Sequence, residues 1–422
     1  MNGNGSQGKI LVIGGGISGI TAAIEASEAG CEVLLVEKNP HLGGRVAGSN
    51  QYFPKLCPPT CGLEINFRRL RTSPNIQCLT LAEVEKISGG PGSYQATIRR
   101  NPRFVNNKCT GCGKCVEACP VERPNLFNQG MDSTKAIYLP YEMAYPLQYA
   151  IDGDACQGSE CGKCVEACPY DAIDLAMEPE MVEVEVQAVV WATGWTPYDA
   201  KGIDGLGFGT YPNVINNTMM ERLASVNGPT AGKIQRPSDG GEIQTIAFVQ
   251  CAGSRDENYL KHCSGVCCMG SLKQTRYVRE QYPDAQIYVF YIDIRSPGRL
   301  EDFYAAVQED EKVEFIKGKV AKITEDEGSG NLTVEAEDTL SGERVSQTVD
   351  MVVLATGIVP AETNVTLELD AALERDEHGF LVSDQPLAGM VAAGCAKRPV
   401  DVATSVRDAA GAALKALQSC TE

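Results

Sequence analysis

The chain is poor in histidine, in basic charge and in long apolar runs, and each shortage removes a class of function. Its 422 residues include three histidines, His41, His262 and His378. No Ser/His/Asp or paired-carboxylate arrangement stands out around them, so no separate hydrolytic or acid–base chemistry is indicated. Against 55 Asp and Glu there are 37 Lys and Arg, a formal net charge of −18. Phosphate backbones and anionic headgroups would repel that surface, which argues against nucleic acid and against an anionic membrane surface, and no direct membrane insertion is expected. The longest uncharged run near the start, Ile10 to Ile24, is too short and too glycine-rich to cross a bilayer. Met1 to Gly8 is polar and lacks the apolar core of a signal peptide, so a cytoplasmic location is expected. Work at a membrane would need another protein to hold the chain there.

Cysteine, by contrast, is abundant and bunched. Eighteen occur in a chain too long to be a disulfide scaffold, which points to metal ligation in a reducing compartment. One nine-residue phrase, Cys-Gly-Lys-Cys-Val-Glu-Ala-Cys-Pro, is written at 112–120 and again at 161–169. With Cys109 in front, the first copy reads C-x2-C-x2-C-x3-C-P, the bacterial ferredoxin run. Cys156 precedes the second copy and widens its first gap, giving C-x4-C-x2-C-x3-C-P. Crossed ligation then predicts Cys109, Cys112, Cys115 and Cys168 on one [4Fe–4S] cluster, and Cys156, Cys161, Cys164 and Cys119 on the other. A structural zinc site is the rival, since C-x2-C pairs also suit a tetrahedral ion. Eight cysteines in two near-identical runs, each closed by Pro, favour the clusters.

The opening segment carries a second signature. A short apolar strand, Ile10 to Ile13, leads into Gly14-Gly15-Gly16-Ile17-Ser18-Gly19 and a helical run. Gly14 permits the tight turn, Gly16 lets a pyrophosphate approach the backbone, and Gly19 lets helix and strand pack closely. The next strand ends in Glu37, placed 23 positions after Gly14 to take ribose hydroxyls. Lys38 and the pair Gly44-Arg45, in His41-Leu42-Gly43-Gly44-Arg45, extend the site, and the Gly-Gly resembles FAD rather than NAD enzymes. Two strands ending in Ala-Thr-Gly, at Gly194 and Gly357, mark passages between domains of two-dinucleotide-domain flavoproteins. Gly394 precedes a helix-like run, Val402 to Leu417, and Cys395 stands where such proteins place an Asp near the flavin ribitol. The expected FAD contacts are Gly14, Gly16, Ser18, Gly19, Glu37, Lys38, Gly44, Arg45, Gly194, Gly357 and Gly394.

A second nucleotide-like domain is expected from about Glu242, with a strand at 243–249, a helix at about 272–281 and a strand at 287–291. Its strand-to-helix loop has no glycine turn for a nicotinamide dinucleotide. It holds Cys251, Cys263, Cys267 and Cys268, in the order C-x11-C-x3-C-C. Four thiols in one loop favour a third [4Fe–4S] site over scattered buried cysteines. Adjacent ligands there require a sharp backbone turn between Cys267 and Cys268, which Gly265 and Gly270 would permit by positive φ. Three readings stand for Cys57 and Cys61: a redox disulfide beside the flavin, extra cluster ligands, or an inert pair, the last ranked slightly ahead.

The fold expected is α/β: a thioredoxin-reductase-like, two-dinucleotide-domain flavoprotein with an inserted two-cluster ferredoxin module. The FAD-binding domain is assigned to 1–104, 183–240 and 351–422, the ferredoxin module to 105–182, and the second nucleotide-like domain to 241–350.

These features together resemble the A subunit family of heterodisulfide reductases. The carriers are Gly14 to Gly19, Phe53-Pro54-x-x-Cys57 with Pro74-Asn75-Ile76, the double ferredoxin run, Cys251-x-Gly253-Ser254-Arg255-Asp256, and Cys263 with Cys267-Cys268. The resemblance covers nearly the whole chain. In its compact form the chain is most similar to the QmoA-type flavoproteins of the quinone-interacting membrane-bound oxidoreductase (Qmo) of sulfate reducers. That likeness implies a flavin–iron–sulfur protein passing electrons between adenylylsulfate reductase and a membrane quinone-reactive subunit, beside a second flavin–iron–sulfur subunit. It would be cytoplasmic and peripheral to the inner membrane through its partner. The alternatives are a soluble electron-bifurcating component of heterodisulfide reductase type, or a cluster-bearing scaffold without catalytic role.

Overall fold

The computed structural model describes residues 8–383 and 385–421. The chain forms two compact units, Met1–Trp195 with Pro360–Glu422, and Thr196–Val359.

The first unit is built on a five-stranded parallel sheet in the order Met390–Ala392, Ala188–Trp191, Lys9–Ile13, Glu32–Glu37, Ile76–Thr80. Its central strands read as unbroken apolar runs because both faces are covered. Ile10, Val12, Val33 and Leu35 share a core with helices Ile17–Glu28 and Val402–Thr421. Leu11, Ile13, Leu34 and Val36 point the other way, into a core with Val84, Ile87 and Ile98 of an antiparallel layer. Each such fully buried aliphatic side chain contributes about 1.5–3 kcal/mol. The two helices meet through small residues, Ala22, Ala23 and Ala26 with Ala409, Ala412 and Ala413, so their backbones come close.

Within this unit the ferredoxin-type repeat folds as two matching halves. Each copy makes a five-residue helix, Lys114–Ala118 and Lys163–Ala167, entered through a left-handed glycine, Gly113 and Gly162. The backbone hydrogen bonds also repeat: Val116 to Gly113 and Val165 to Gly162 are both 2.9 Å, and Cys119 to Val116 and Cys168 to Val165 are both 3.2 Å. Cys115 and Cys164 are buried at the centre with Val105, Ile137, Ile151 and Ile173. The segment between the runs packs back on the first unit's sheet edge. Leu42 N–H donates to the Tyr145 carbonyl at 2.8 Å, and the Tyr141 hydroxyl to the Leu42 carbonyl at 3.1 Å. Arg103, buried, donates to the Pro40 carbonyl and the Thr80 hydroxyl at 2.6 and 2.7 Å.

The second unit repeats the three-layer plan. Its parallel sheet runs Val214–Asn216, Met351–Thr356, Thr245–Ala252, Gln286–Tyr291, Val313–Lys317. One face is covered by the antiparallel strands Val320–Glu325, Leu332–Asp338 and Glu343–Val349. The division differs from the expected boundaries at 240 and 350. Residues 196–240 and 351–359 fall in the second unit, because Val214–Asn216 pairs with Met351–Thr356, which in turn pairs with Thr245–Ala252. Among the described residues no helix is long and apolar enough to cross a membrane.

Candidate cofactor and cluster sites

The glycine turn of the first unit is shaped by backbone contact. Gly14 has φ +107°, and a Cβ there would lie 2.3 Å from the Ala192 carbonyl oxygen. A Cβ on Gly19 would come within 1.8 Å of the Gly14 oxygen. Gly16, in contrast, faces open space, with only the Gly44 Cα at 3.9 Å. It caps helix Ile17–Glu28 with no side-chain hydrogen bond, so the first-turn N–H groups face outward at the positive end of the helix. A pyrophosphate fits a turn so clear of side chains.

Glu37 is buried beneath the turn. One carboxylate oxygen accepts from Gly15 N–H at 2.6 Å, and the other from Asn39 N–H and its side-chain amide at 2.8 and 2.6 Å. Burial is the largest influence on this carboxyl and raises its pKa, while these hydrogen bonds and Lys38 work against it. Lys38 itself is exposed. Gly43 N–H donates to the Gly15 carbonyl at 2.8 Å, and Gly44 sits so close that its Cβ would lie 2.8 Å from Gly16 Cα. Arg45 donates to the Trp195 carbonyl at 2.8 Å and lies 5.2 Å over the Trp195 ring. Gly194, at φ +74°, has open space where a Cβ would stand.

Gly394 closes the site from the C-terminal side. At φ +60° its missing Cβ would sit 2.1 Å from the Ser18 hydroxyl oxygen. The Cys395 thiol is buried and directed at the Val400 carbonyl, 3.4 Å away. A carboxylate nearby, Asp408, accepts from Gly394 N–H at 2.7 Å and pairs with Lys397. Sequence inspection missed Asp408 because it lies a helical stretch beyond the motif. The structure thus gathers Gly14, Gly16, Ser18, Gly19, Glu37, Gly44 and Gly394 around one cradle that fits an adenine dinucleotide. Gly357 lies elsewhere, in the second unit, where a Cβ would meet the Ser254 hydroxyl at 2.3 Å and Leu260 at 2.4 Å.

In the ferredoxin-type module the thiols are brought into mutual electrostatic range. Burial, then the Cys109 and Cys112 thiols, push Cys115 up to about 12. Cys164 is raised by burial and by Cys156 and Cys119. Cys119, from the first run, is thus near enough to Cys164 of the second to act on it. Backbone N–H groups point at sulfur, Gly158 at Cys156 and Ala172 at Cys168, both at 3.4 Å. Such N–H···S contacts favour thiolate ligands and tune a cluster's potential. Among the described residues no three His, Cys, Asp or Glu side chains converge closely enough to hold a single metal ion.

The second unit collects its own four thiols. Cys251, the last residue but one of strand Thr245–Ala252, has φ +57°, and Cys267 and Cys268 open helix Cys267–Gln281. Burial and the Cys268, Cys251 and Cys263 thiols push Cys267 up to about 12; burial and Cys268, with Cys263 contributing, push Cys251 up to about 11. The helix begins five residues earlier than expected, so no sharp bend separates Cys267 from Cys268. The helical step of about 100° splays them instead. Gly265 does adopt φ +69°, whereas Gly270 is helical. Around the thiols, Arg255 pairs with Asp293 at 2.8 Å, and Ser264 accepts from Ile358 N–H at 2.7 Å. A buried pair, Lys273 with Glu221 at 3.1 Å, lies further along the same helix, also unforeseen.

Comparison with known proteins agrees with this geometry. Residues 9–58 match the family model of FAD dependent oxidoreductases, and residues 108–172 match the 4Fe-4S dicluster domain. The chain is 41% identical over 419 residues to the second A-type iron-sulfur subunit of CoB--CoM heterodisulfide reductase from Methanopyrus kandleri, covering 97% of this chain and 64% of that protein. It is 39% identical to the A-type subunit of H(2):CoB-CoM heterodisulfide,ferredoxin reductase from Methanothermobacter marburgensis, covering 97% and 63%. The chain thus spans somewhat under two thirds of these relatives' length. In fold it resembles thioredoxin reductase of Lactococcus lactis, with a TM-score of 0.54 at 14% identity over 98% of this chain and 99% of that one. The thioredoxin reductase of T. acidophilum gives 0.53 at 14%, covering 97% and 98%. The chain thus carries an FAD dependent oxidoreductase segment and a 4Fe-4S dicluster segment, and over nearly its whole length it is similar to the A-type subunits of heterodisulfide reductases.

Proposed function

We propose that the chain is an electron-transfer subunit joining a two-electron flavin to one-electron clusters. FAD takes or gives electron pairs, and each [4Fe–4S] cluster carries one electron. The single observation that carries this is the shared compact unit: the glycine cradle and the double cysteine run lie in one body, tied through Leu42, Tyr141 and Tyr145. The protein's part is to seat the pyrophosphate on the Gly16 turn, hold the ribose at Glu37, and close the cradle with Gly394 and Asp408. Cys109, Cys112, Cys115 and Cys168 hold one cluster, and Cys156, Cys161, Cys164 and Cys119 the other. The approach of Cys119 to Cys164 supports this crossing. Cys251, Cys263, Cys267 and Cys268 hold a third cluster, supported by their mutual proximity.

In its complex the chain links adenylylsulfate reductase to a membrane quinone-reactive subunit in sulfate respiration, a reading that rests on the motif resemblance. A second reading, a soluble electron-bifurcating component, is favoured by the relatives that are named as heterodisulfide,ferredoxin reductase subunits. Isolation of the native complex without oxygen and identification of its subunits decides between them. A quinone-reactive membrane protein supports the first; a hydrogenase or a heterodisulfide-reducing protein supports the second. NADH and NADPH are expected to leave the flavin oxidised, and rapid stoichiometric bleaching by either would overturn the loss of nicotinamide binding.

A further inference from the structure

Cys57 and Cys61 are left over by every site above, yet they are not scattered. Cys57 stands just before the N-cap of helix Pro59–Thr72, and Cys61 is the third residue of its first turn. Both thiols are free; Cys61 is exposed and Cys57 half-buried. The Tyr52 backbone N–H holds the Cys57 carbonyl at 3.1 Å, and both thiols lie near enough to act on the Tyr52 phenol. The helix has fourteen residues, with no acidic group in its first turn and no side-chain cap.

Tyr52 has a second surface. With Gly62 and Leu63 it lines a cleft of about 370 Å³, whose other walls are Ile17, Val46 and the Val402–Arg407 end of the C-terminal helix. Ile17 begins the dinucleotide helix and Val46 follows the Gly43-Gly44 pair. The dithiol therefore stands across one side chain from a cleft bounded by the FAD-binding elements.

We propose that Cys57 and Cys61 form a dithiol–disulfide couple that exchanges an electron pair with the bound FAD. Two thiols give up two electrons and two protons as one S–S bond forms, and FAD takes both to become FADH2. The couple adds a two-electron store to the chain, distinct from its one-electron clusters.

Trypsin cuts after Lys55 and Arg68 and so releases Leu56–Arg68, which contains both cysteines and no other. Anaerobic holoprotein is equilibrated in glutathione buffers of stepped ratio, alkylated with iodoacetamide and digested. The peptide should pass from doubly alkylated to unalkylated and lighter by two hydrogens. Photoreduction of FAD in the oxidised sample should restore double alkylation, and the same illumination of FAD-depleted protein should not. Cys57→Ser and Cys61→Ser should each take up two fewer electrons per chain in a reductive titration. Flavin and iron assays on each variant separate loss of the couple from loss of cofactor. Double alkylation at every buffer ratio, a disulfide that survives full flavin reduction, or unchanged electron uptake in variants with full cofactor content would overturn the proposal.

Discussion

Two strand-to-helix junctions, one in each unit, hold the same topological position and opposite contents. In the first, strand Lys9–Ile13 passes to helix Ile17–Glu28 through three glycines. In the second, strand Thr245–Ala252 passes to helix Cys267–Gln281 through residues 253–266. The first junction is defined by missing side chains: a Cβ at Gly14 or Gly19 would collide with backbone. The second is defined by side chains that are present, thiols around an Arg255–Asp293 pair. Positive φ falls on Gly14 in one and on Cys251, Gly253, Arg255 and Gly265 in the other. A parallel sheet leaves the same crevice at its strand ends whichever loop fills it. Here one loop is stripped of side chains and the other carries thiols.

The sharpest way to break this contrast is Cys268→Ser. If the second loop ligates a cluster, the variant loses about 4 of about 12 irons per chain and keeps FAD and the ferredoxin-type signals. An unchanged iron count and spectrum would reduce that loop to buried thiols. Next in size is the way each junction's helix is anchored. The dinucleotide helix is packed by alanines, whereas helix Cys267–Gln281 carries the buried Lys273–Glu221 pair. Lys273→Met strands a buried carboxylate and should destabilise the second unit by about 3–5 kcal/mol in denaturant titration. Adding Glu221→Gln should recover most of that loss. If the single variant is as stable as the parent, the pair does not anchor the helix.

Gly19→Ala tests the other junction. Its Cβ meets the Gly14 carbonyl oxygen, so FAD affinity should fall about 100-fold, the equivalent of about 3 kcal/mol, by flavin fluorescence. Retained affinity would mean that the turn tolerates a side chain after all. The smallest effect lies away from both loops, at Asp310. Burial raises its pKa, but the Arg279 guanidinium at 2.7 Å outweighs this and holds it below the usual carboxylate range. A depressed folded pKa stabilises above the unfolded value and loses that gain as pH falls through the folded one. Asp310→Asn should therefore cost about 0.2–1 kcal/mol at neutral pH and nothing once the carboxylate is protonated. A difference independent of pH would assign the effect to packing.

Much of this was legible in the order of residues, because the determining contacts are local. The glycine spacing, the carboxylate at Glu37 and the repeated cysteine phrase act through neighbours along the chain, or through one strand pairing that the spacing implies. Tight turns and cluster loops need particular residue types at fixed offsets, so pattern carries them. What depended on distant segments meeting was not legible. Asp408 reaches Gly394 only because a helix brings it back, and Gly357 meets Ser254 only because Met351–Thr356 pairs with Thr245–Ala252. The same pairing ties residues 214–216 and 351–356 to the second unit. Tyr52 joined the Cys57–Cys61 pair to the cleft in the same manner, through packing across helices. Local chemistry is written in spacing, but partners across the sheet are chosen by which apolar faces bury together, and that choice is made only in three dimensions.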